Sequence, residues 1–273
     1  LAEYIHGKGL LFGIYSDAGN ETCGGLPGSL DHEEIDAKTF VEWGVDYLKY
    51  DNCFSQGRPE QERYQALKNA TKGTNKTIFY SICEWGQSDP WLWGPDVGNS
   101  WRTSVDINGL WTSILSIIDS QVRITQYGGP GGWNDPDMLA APLILGCDLN
   151  DINDASKALI LNKDIISVNQ DPLGQSICQV YYKTHKKTSF DIWTGPLIDG
   201  YVAILFNRGI DPINITLNFH KHCYLTGEIK VRDLVNQQSK GNFTNTYTAV
   251  NIPENGVEFI KLTGRTKTNS ARP

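Results

Sequence analysis

The chain has 273 residues, with 24 Lys and Arg against 31 Asp and Glu and a formal net charge of -7 at pH 7. That balance, without a long basic run, argues against a nucleic-acid partner, and no stretch approaches the roughly 20 apolar residues that span a bilayer. The length suffices to bury a sizeable core in one large domain or two, and the eight Trp suit sugar stacking and core filling equally.

Leu1 to Lys8 reads as the end of a helix closed by Gly9, followed by a buried strand over Leu10–Tyr15. After a Gly-rich loop carrying Cys23, Ser29 or Asp31 is placed to cap a helix reaching Trp43, with Ile35, Phe40, Val41 and Trp43 as its apolar positions. A strand over Val45–Tyr50, a helix over about Glu60–Ala70 and a strand over Thr77–Ile82 lead to the loop Cys83–Pro90. A short strand ending near Asp106, a helix over Leu110–Asp119 and a strand over about Gln121–Gln126 continue the rhythm. Strands alternating with helices predict parallel β/α units, and polar candidates just after strands fall on the catalytic face of a β/α barrel.

The rhythm breaks before the apolar run Ala141–Gly146. The intervening Gly128–Ala140 is too rich in Gly and Pro for the helical crossover that parallel strands need. Either one strand is misassigned or a helix is missing; the count is six barrel-type strands, against about eight in a closed barrel. A helix over Ala155–Ser167 precedes Asn169–Gly174, and then short alternating runs begin: 178–182, 190–193, 202–206, 213–219, 228–234, 247–252 and 257–262. The fold class is therefore α/β: an incomplete β/α (TIM-type) barrel over 1–174, an all-β antiparallel sandwich over 175–264, and a tail over 265–273.

The stretch Val45–Cys53 organises the chemistry. Lys49 and Asp51 stand two apart on a strand, so both point to one side and the carboxylate has a cation beside it. A salt-paired Asp at a strand end is most often structural, but a second acid, Asp106, follows in Ser100–Ile107. Two acids at strand ends are the minimum equipment for glycoside hydrolysis. The six Cys lack the paired spacing of a zinc site and fit one or two disulfides plus buried thiols. Asn20, Asn69, Asn75, Asn214 and Asn242 each head a glycosylation sequon, which favours a secretory route although no signal peptide is present in this sequence.

Gly13–Gly19, Tyr47–Cys53, Cys83–Gly86, Trp101–Asp106 and Gly128–Met138, in that order, resemble motifs of glycoside hydrolase family 27, the retaining α-galactosidases and α-N-acetylgalactosaminidases; Asn169–Gly174 matches the close of that family's barrel. The resemblance is strong over about residues 1 to 175 and looser over the sandwich. It implies Asp51 as nucleophile and Asp106 as general acid/base, with Lys49 keeping Asp51 ionised and contacting sugar hydroxyls, and Arg102 donating to sugar oxygens. Tyr15, Cys23, Asp137 and Met138 match pocket positions, Trp85 is placed to stack on the sugar, and Cys23 would pair with Cys53. Glu84 stands where the family separates its two sugars; a bulky acid favours a 2-hydroxyl over an N-acetyl group. The implied substrate is a terminal α-galactoside of an oligosaccharide or glycoconjugate, cut without metal or organic cofactor.

The resemblance also implies parts that this sequence lacks. Two β/α units would precede Leu1, carrying a Trp and a pair of Asp that hold galactose, and a helix with the start of the eighth strand would stand at Leu139–Ala140. A truncated product with weak turnover is the expectation, with α-N-acetylgalactosaminidase or a non-catalytic galactose-binding remnant as alternatives.

Overall fold

The computed structural model describes residues 1–137, 150–185 and 188–266, and the chain divides into two compact units, Leu1–Ile144 and Leu145–Pro273. The expected substrate contact Met138, the junction Leu139–Ala140, the run Ala141–Gly146 and the tail beyond Thr266 lie outside the described residues.

The first unit is a five-stranded parallel sheet in sequential order: β1 (Gly13–Asp17), β2 (Tyr47–Asp51), β3 (Phe79–Ile82), β4 (Ser100–Arg102) and β5 (Trp133–Asp135). A short α1 (Ala2–His6) precedes β1, and α2 (Glu33–Glu42), α3 (Glu60–Lys72), a brief α4 (Pro90–Trp93) and α5 (Trp111–Gln121) make the crossovers. The outward strand residues Leu48, Tyr50, Ile82 and Trp101 pack with Phe40, Tyr64 and Leu67 of α2 and α3 into one buried cluster. Each large apolar side chain so buried contributes about 1.5–3 kcal/mol.

Several expectations need correction. β1 begins at Gly13, and Leu10 and Leu11 before it are 62% and 80% exposed. Neither Ser29 nor Asp31 caps α2: His32 holds the cap position, Ser29 bonds to Ser16, and Asp31 pairs with Arg58. Ile35 and Trp43 of that helix face solvent. Gln121–Gln126 is not a strand; α5 runs through Gln121 and a 3-10 turn covers Thr125–Tyr127. The fifth strand instead lies within the Gly- and Pro-rich segment, at Trp133–Asp135. With that reassignment α5 becomes a full helical crossover from β4 to β5, and the missing-helix puzzle before Asp135 disappears.

In the second unit the expected single helix is two, α6 (Asp154–Ile160) and α7 (Lys163–Asn169). Asn162 breaks them because its Oδ1 accepts from Asp164 N and Ile165 N, the N-cap arrangement for a new helix. Ile165 and Val168 pack against Leu197, Val202 and Leu234. The strands are β6 (Cys178–His185), β7 (Thr188–Leu197), β8 (Gly200–Asn207), β9 (Ile213–Asn218), β10 (Leu225–Asp233), β11 (Gln238–Thr244), β12 (Thr246–Ile252) and β13 (Val257–Thr266), with a short α8 (Phe219–Cys223) after β9. They form an antiparallel six-stranded sheet ordered β11-β10-β13-β8-β7-β6 and a β12-β9 pair. Ile215, Leu217 and Ala249 of the pair meet Leu205, Val231 and Ile260 of the larger sheet in one core, as a sandwich requires. β11 was not expected from its sequence. Among the described residues no helix is long and apolar enough to cross a membrane.

Candidate active site

Register builds the site. Paired residues in a parallel sheet face the same way, and the pairings Asp17 with Asp51 and Arg102 with Asp135 lie in one row at the carboxyl ends of the strands. The gap in that row at β3 is filled by Cys83, whose N–H bonds to Tyr50 O. One layer below, Tyr15, Lys49, Ser81, Ser100 and Trp133 form a second row. The order acid, acid, thiol, guanidinium, acid runs across one sheet edge.

Asp51 closes β2 and is 7% exposed. Its Oδ2 accepts from the Tyr15 hydroxyl at 2.8 Å and its Oδ1 from the Asn52 N–H at 3.1 Å. The Tyr15 hydroxyl and the Asn52 N–H are its donors and the Cys83 thiol faces it, while the charge of Lys49 acts on Cys83 and Asp135 in the same row. Burial first, then the bond to Asp51, pushes the Tyr15 hydroxyl well above the usual phenol range, so it stays a donor.

Asp17 is a site residue that sequence reasoning missed. It is fully buried beside Asp51, and burial raises its carboxyl to about 6 against the pull of two backbone donors. Its Oδ1 accepts from Gly19 N at 2.8 Å and its Oδ2 from Cys53 N at 3.1 Å. The signal was the polar end of a strand otherwise read as buried. Cys23 and Cys53 are joined as a disulfide, with the Cys23 sulfur 3.6 Å from Asp17 Oδ2. Among the described residues these three form the one cluster with potential metal-ligand spacing, and the S–S bond leaves neither sulfur as a thiolate. Gly19 is needed here because a Cβ would lie 1.9 Å from Cys53 O.

Buried Arg63 supports the same corner, donating to Ala18 O after β1 and Asn52 Oδ1 after β2.

On the other flank Arg102, 1% exposed, ends β4 and reaches three loops. Its Nη2 lies 3.0 Å from Asp106 Oδ1 and 3.0 Å from Asp137 Oδ2, and Nη1 is 3.6 Å from the Cys83 sulfur. Asp106 itself is exposed on the loop four residues past the strand, with 75% of its side chain accessible. Asp137 also accepts from Ile107 N at 2.7 Å, so the turn after β5 braces the Asp106 loop. Burial keeps the Cys83 thiol protonated.

Glu84 is fully buried after β3; Oε2 accepts from Ser88 N and Ser88 Oγ, each at 2.8 Å, whereas Oε1 has no hydrogen-bond partner among the described residues. Burial raises its carboxyl. Half-buried Trp85 has φ +59° and Gly86 φ +76°, and a Cβ on Gly86 would meet Thr103 O at 2.5 Å, so the loops after β3 and β4 touch. All five sequon asparagines are exposed.

Residues 1–140 match the family model described as Alpha galactosidase A, and residues 187–262 match the Alpha galactosidase C-terminal beta sandwich domain. The chain belongs to the α-galactosidase family, glycoside hydrolase family 27. Among family members, Alpha-galactosidase 3 of Arabidopsis thaliana is 43% identical over 272 residues, which are 89% of this chain and 62% of that protein. The solved structure of α-galactosidase I from Mortierella vinacea superposes with a TM-score of 0.88 at 34% identity, covering 98% of this chain and 80% of that one. That of a Saccharomyces cerevisiae α-galactosidase with raffinose gives 0.89 at 25% identity, covering 97% and 82%. The chain spans about three fifths of the length of the curated plant relatives it matches, 62% and 58% for the first two.

Proposed function

We propose that this chain carries the reaction centre of a retaining α-galactosidase that removes terminal α-linked galactose from galactosides by double displacement. The observation that carries this reading is the row at the sheet edge: a buried, hydrogen-bonded Asp51 and, on the same edge, a buried Arg102 that holds the exposed Asp106. In the first step an Asp51 oxygen attacks the anomeric carbon. The glycosidic bond breaks toward the leaving oxygen, and protonated Asp106 supplies its proton. In the second, Asp106 takes a proton from water, the water oxygen attacks the same carbon, and Asp51 departs as carboxylate.

β3 separates β2 from β4, so their axes are roughly 10 Å apart. Retention asks for carboxyl groups about 5 to 5.5 Å apart. The loop between Arg102 and Asp106 supplies the reach to bring Asp106 back across β3.

Lys49, Arg102, Asp137, Trp85 and the Cys23–Cys53 wall are assigned to holding the sugar. The bulky acid Glu84, fixed after β3 by Ser88, favours galactose over N-acetylgalactosamine. The relatives named as α-galactosidases, and the one solved with raffinose, support the substrate class. Five exposed sequons and the disulfide support passage through a secretory compartment.

The test is hydrolysis of nitrophenyl α-galactoside followed by proton NMR of the first-formed sugar. α-Galactose as first product is expected; β-galactose, or preference for the N-acetylated substrate, refutes the reading. Asp106→Asn should slow poor leaving groups by roughly 10²–10⁴-fold and activated nitrophenyl substrates far less.

A further inference from the structure

Asp17 contributes to no step above, yet it is the most enclosed carboxylate of the row. Its two oxygens are spent on two backbone N–H groups from different loops: Gly19, two residues past β1, and Cys53, two residues past Asp51. The disulfide joins the same two loops from the other side, at Cys23 and Cys53. Four ties therefore converge on the turn Asp51–Asn52–Cys53: the S–S bond, the Arg63 bond to Asn52 Oδ1, the Ala18 N–H bond to Asp51 O, and the Asp17 bond to Cys53 N. Of these, Asp17 alone also sits opposite Asp51 in register.

We propose that Asp17 is the positioning residue for Asp51: by accepting Cys53 N–H and Gly19 N–H together, it fixes the turn that aims the Asp51 carboxylate at the anomeric carbon. This rests on the reading of Asp51 as nucleophile. A carboxylate is required because one side chain must present an acceptor to each of two donors. An asparagine of the same shape has a single acceptor oxygen, and its NH₂ would be set against one of the N–H groups. A buried negative charge is itself unfavourable; Asp51 and Tyr15 face it, and the Arg63 guanidinium offsets part of the cost. Asp17 is thus expensive for folding and useful for alignment, the signature of a group kept for function.

The experiment uses Asp17→Asn in the full chain. Loss of one accepted bond is offset by removal of a buried charge, so Tm should stay within about 4 °C. kcat per folded molecule should fall roughly 100-fold, the cost of an ångström-scale misplacement, with KM changed much less. The crystal structure of the variant should show the 51–53 turn displaced and the Tyr15–Asp51 bond broken or lengthened. A turn and bond identical to the wild type overturn the proposal, as does a kcat per folded molecule equal to the wild type. Should the wild type itself fail to cleave α-galactosides, the functional reading falls, while the paired crystal structures still decide the positioning claim. If Asp17→Asn does not fold, Asp17→Ser, which keeps one acceptor in a smaller side chain, carries the same measurements.

Discussion

Asp191 in the sandwich and Asp17 in the parallel sheet are both completely buried, and they are kept in opposite ways. Asp191 Oδ2 accepts from Gln179, Trp193 and Arg208 at 3.0, 3.0 and 2.9 Å, and Arg208 neutralises it. Asp233 is likewise paired with Lys240. Asp17 and Asp51 are held by neutral N–H and O–H donors, and the guanidinium of their row is engaged with Asp106 and Asp137 on the far side. Backbone geometry divides the same way. The left-handed non-glycine residues described in the second unit are Tyr224, Gln237, Asn245, Asn251 and Asn255, three of them asparagines, which tolerate that region. Those in the first are Asp31, Phe54, Gln56, Trp85, Asp89 and Asp137, all in loops that follow strands and two of them bulky aromatics. Charge that the sandwich pairs locally is left with mostly neutral donors at one edge of the parallel sheet, where the chemistry is proposed.

The two kinds of carboxylate should respond most differently to substitution. Asp51→Asn should abolish turnover by more than about 10⁴-fold with Tm unchanged or higher, read by kinetics beside calorimetry. Asp191→Ala should do the reverse. Stranding Arg208 without its partner costs about 3–5 kcal/mol in denaturant unfolding, while kcat per folded molecule stays at the wild-type value. If both variants lose stability and activity together, the contrast is wrong.

A smaller effect comes from strain. Trp85→Gly should relieve the left-handed backbone and stabilise the protein by about 1 kcal/mol while raising KM for galactosides. The last is a pH dependence. Asp17 has a folded carboxyl near 6, above its ordinary value, so the folded state binds the extra proton and its contribution to stability falls as pH rises from about 4 to 6. Thermal scans of the wild type and Asp17→Asn should therefore diverge in favour of the variant between about pH 4 and 6 and keep a constant offset above that, and curves that stay parallel across the window would exclude it.

Much of the parallel sheet was legible because apolar runs of four to six residues separated by amphipathic helices have few other solutions; Tyr47–Asp51 and Phe79–Ile82 fall inside or beside their expected strands. The errors have physical causes. Val122, Ile124 and Thr125 are β-branched and look like a strand, yet they follow α5 as a turn, whereas Trp133–Asp135 is drawn into the sheet by pairing with β4 despite its Gly and Pro flanks. β11 is polar and is held by its ladder with β10, which no single-segment pattern reveals. At the site, Asp51, Asp106 and the Cys23–Cys53 pair were readable from motifs. That Tyr15 donates to Asp51, and that Asp17 lies opposite it, depend on the β1–β2 register, which the sequence alone does not announce.

The most direct test of Asp51 as the nucleophile is covalent trapping. A fluorinated galactoside with a good leaving group slows breakdown of the glycosyl-enzyme more than its formation, so the label accumulates on the nucleophile and peptide mass mapping can find it. One galactosyl label per chain is expected, on Asp51, and none after Asp51→Asn. A label on another carboxylate, or turnover retained by Asp51→Asn, would contradict it.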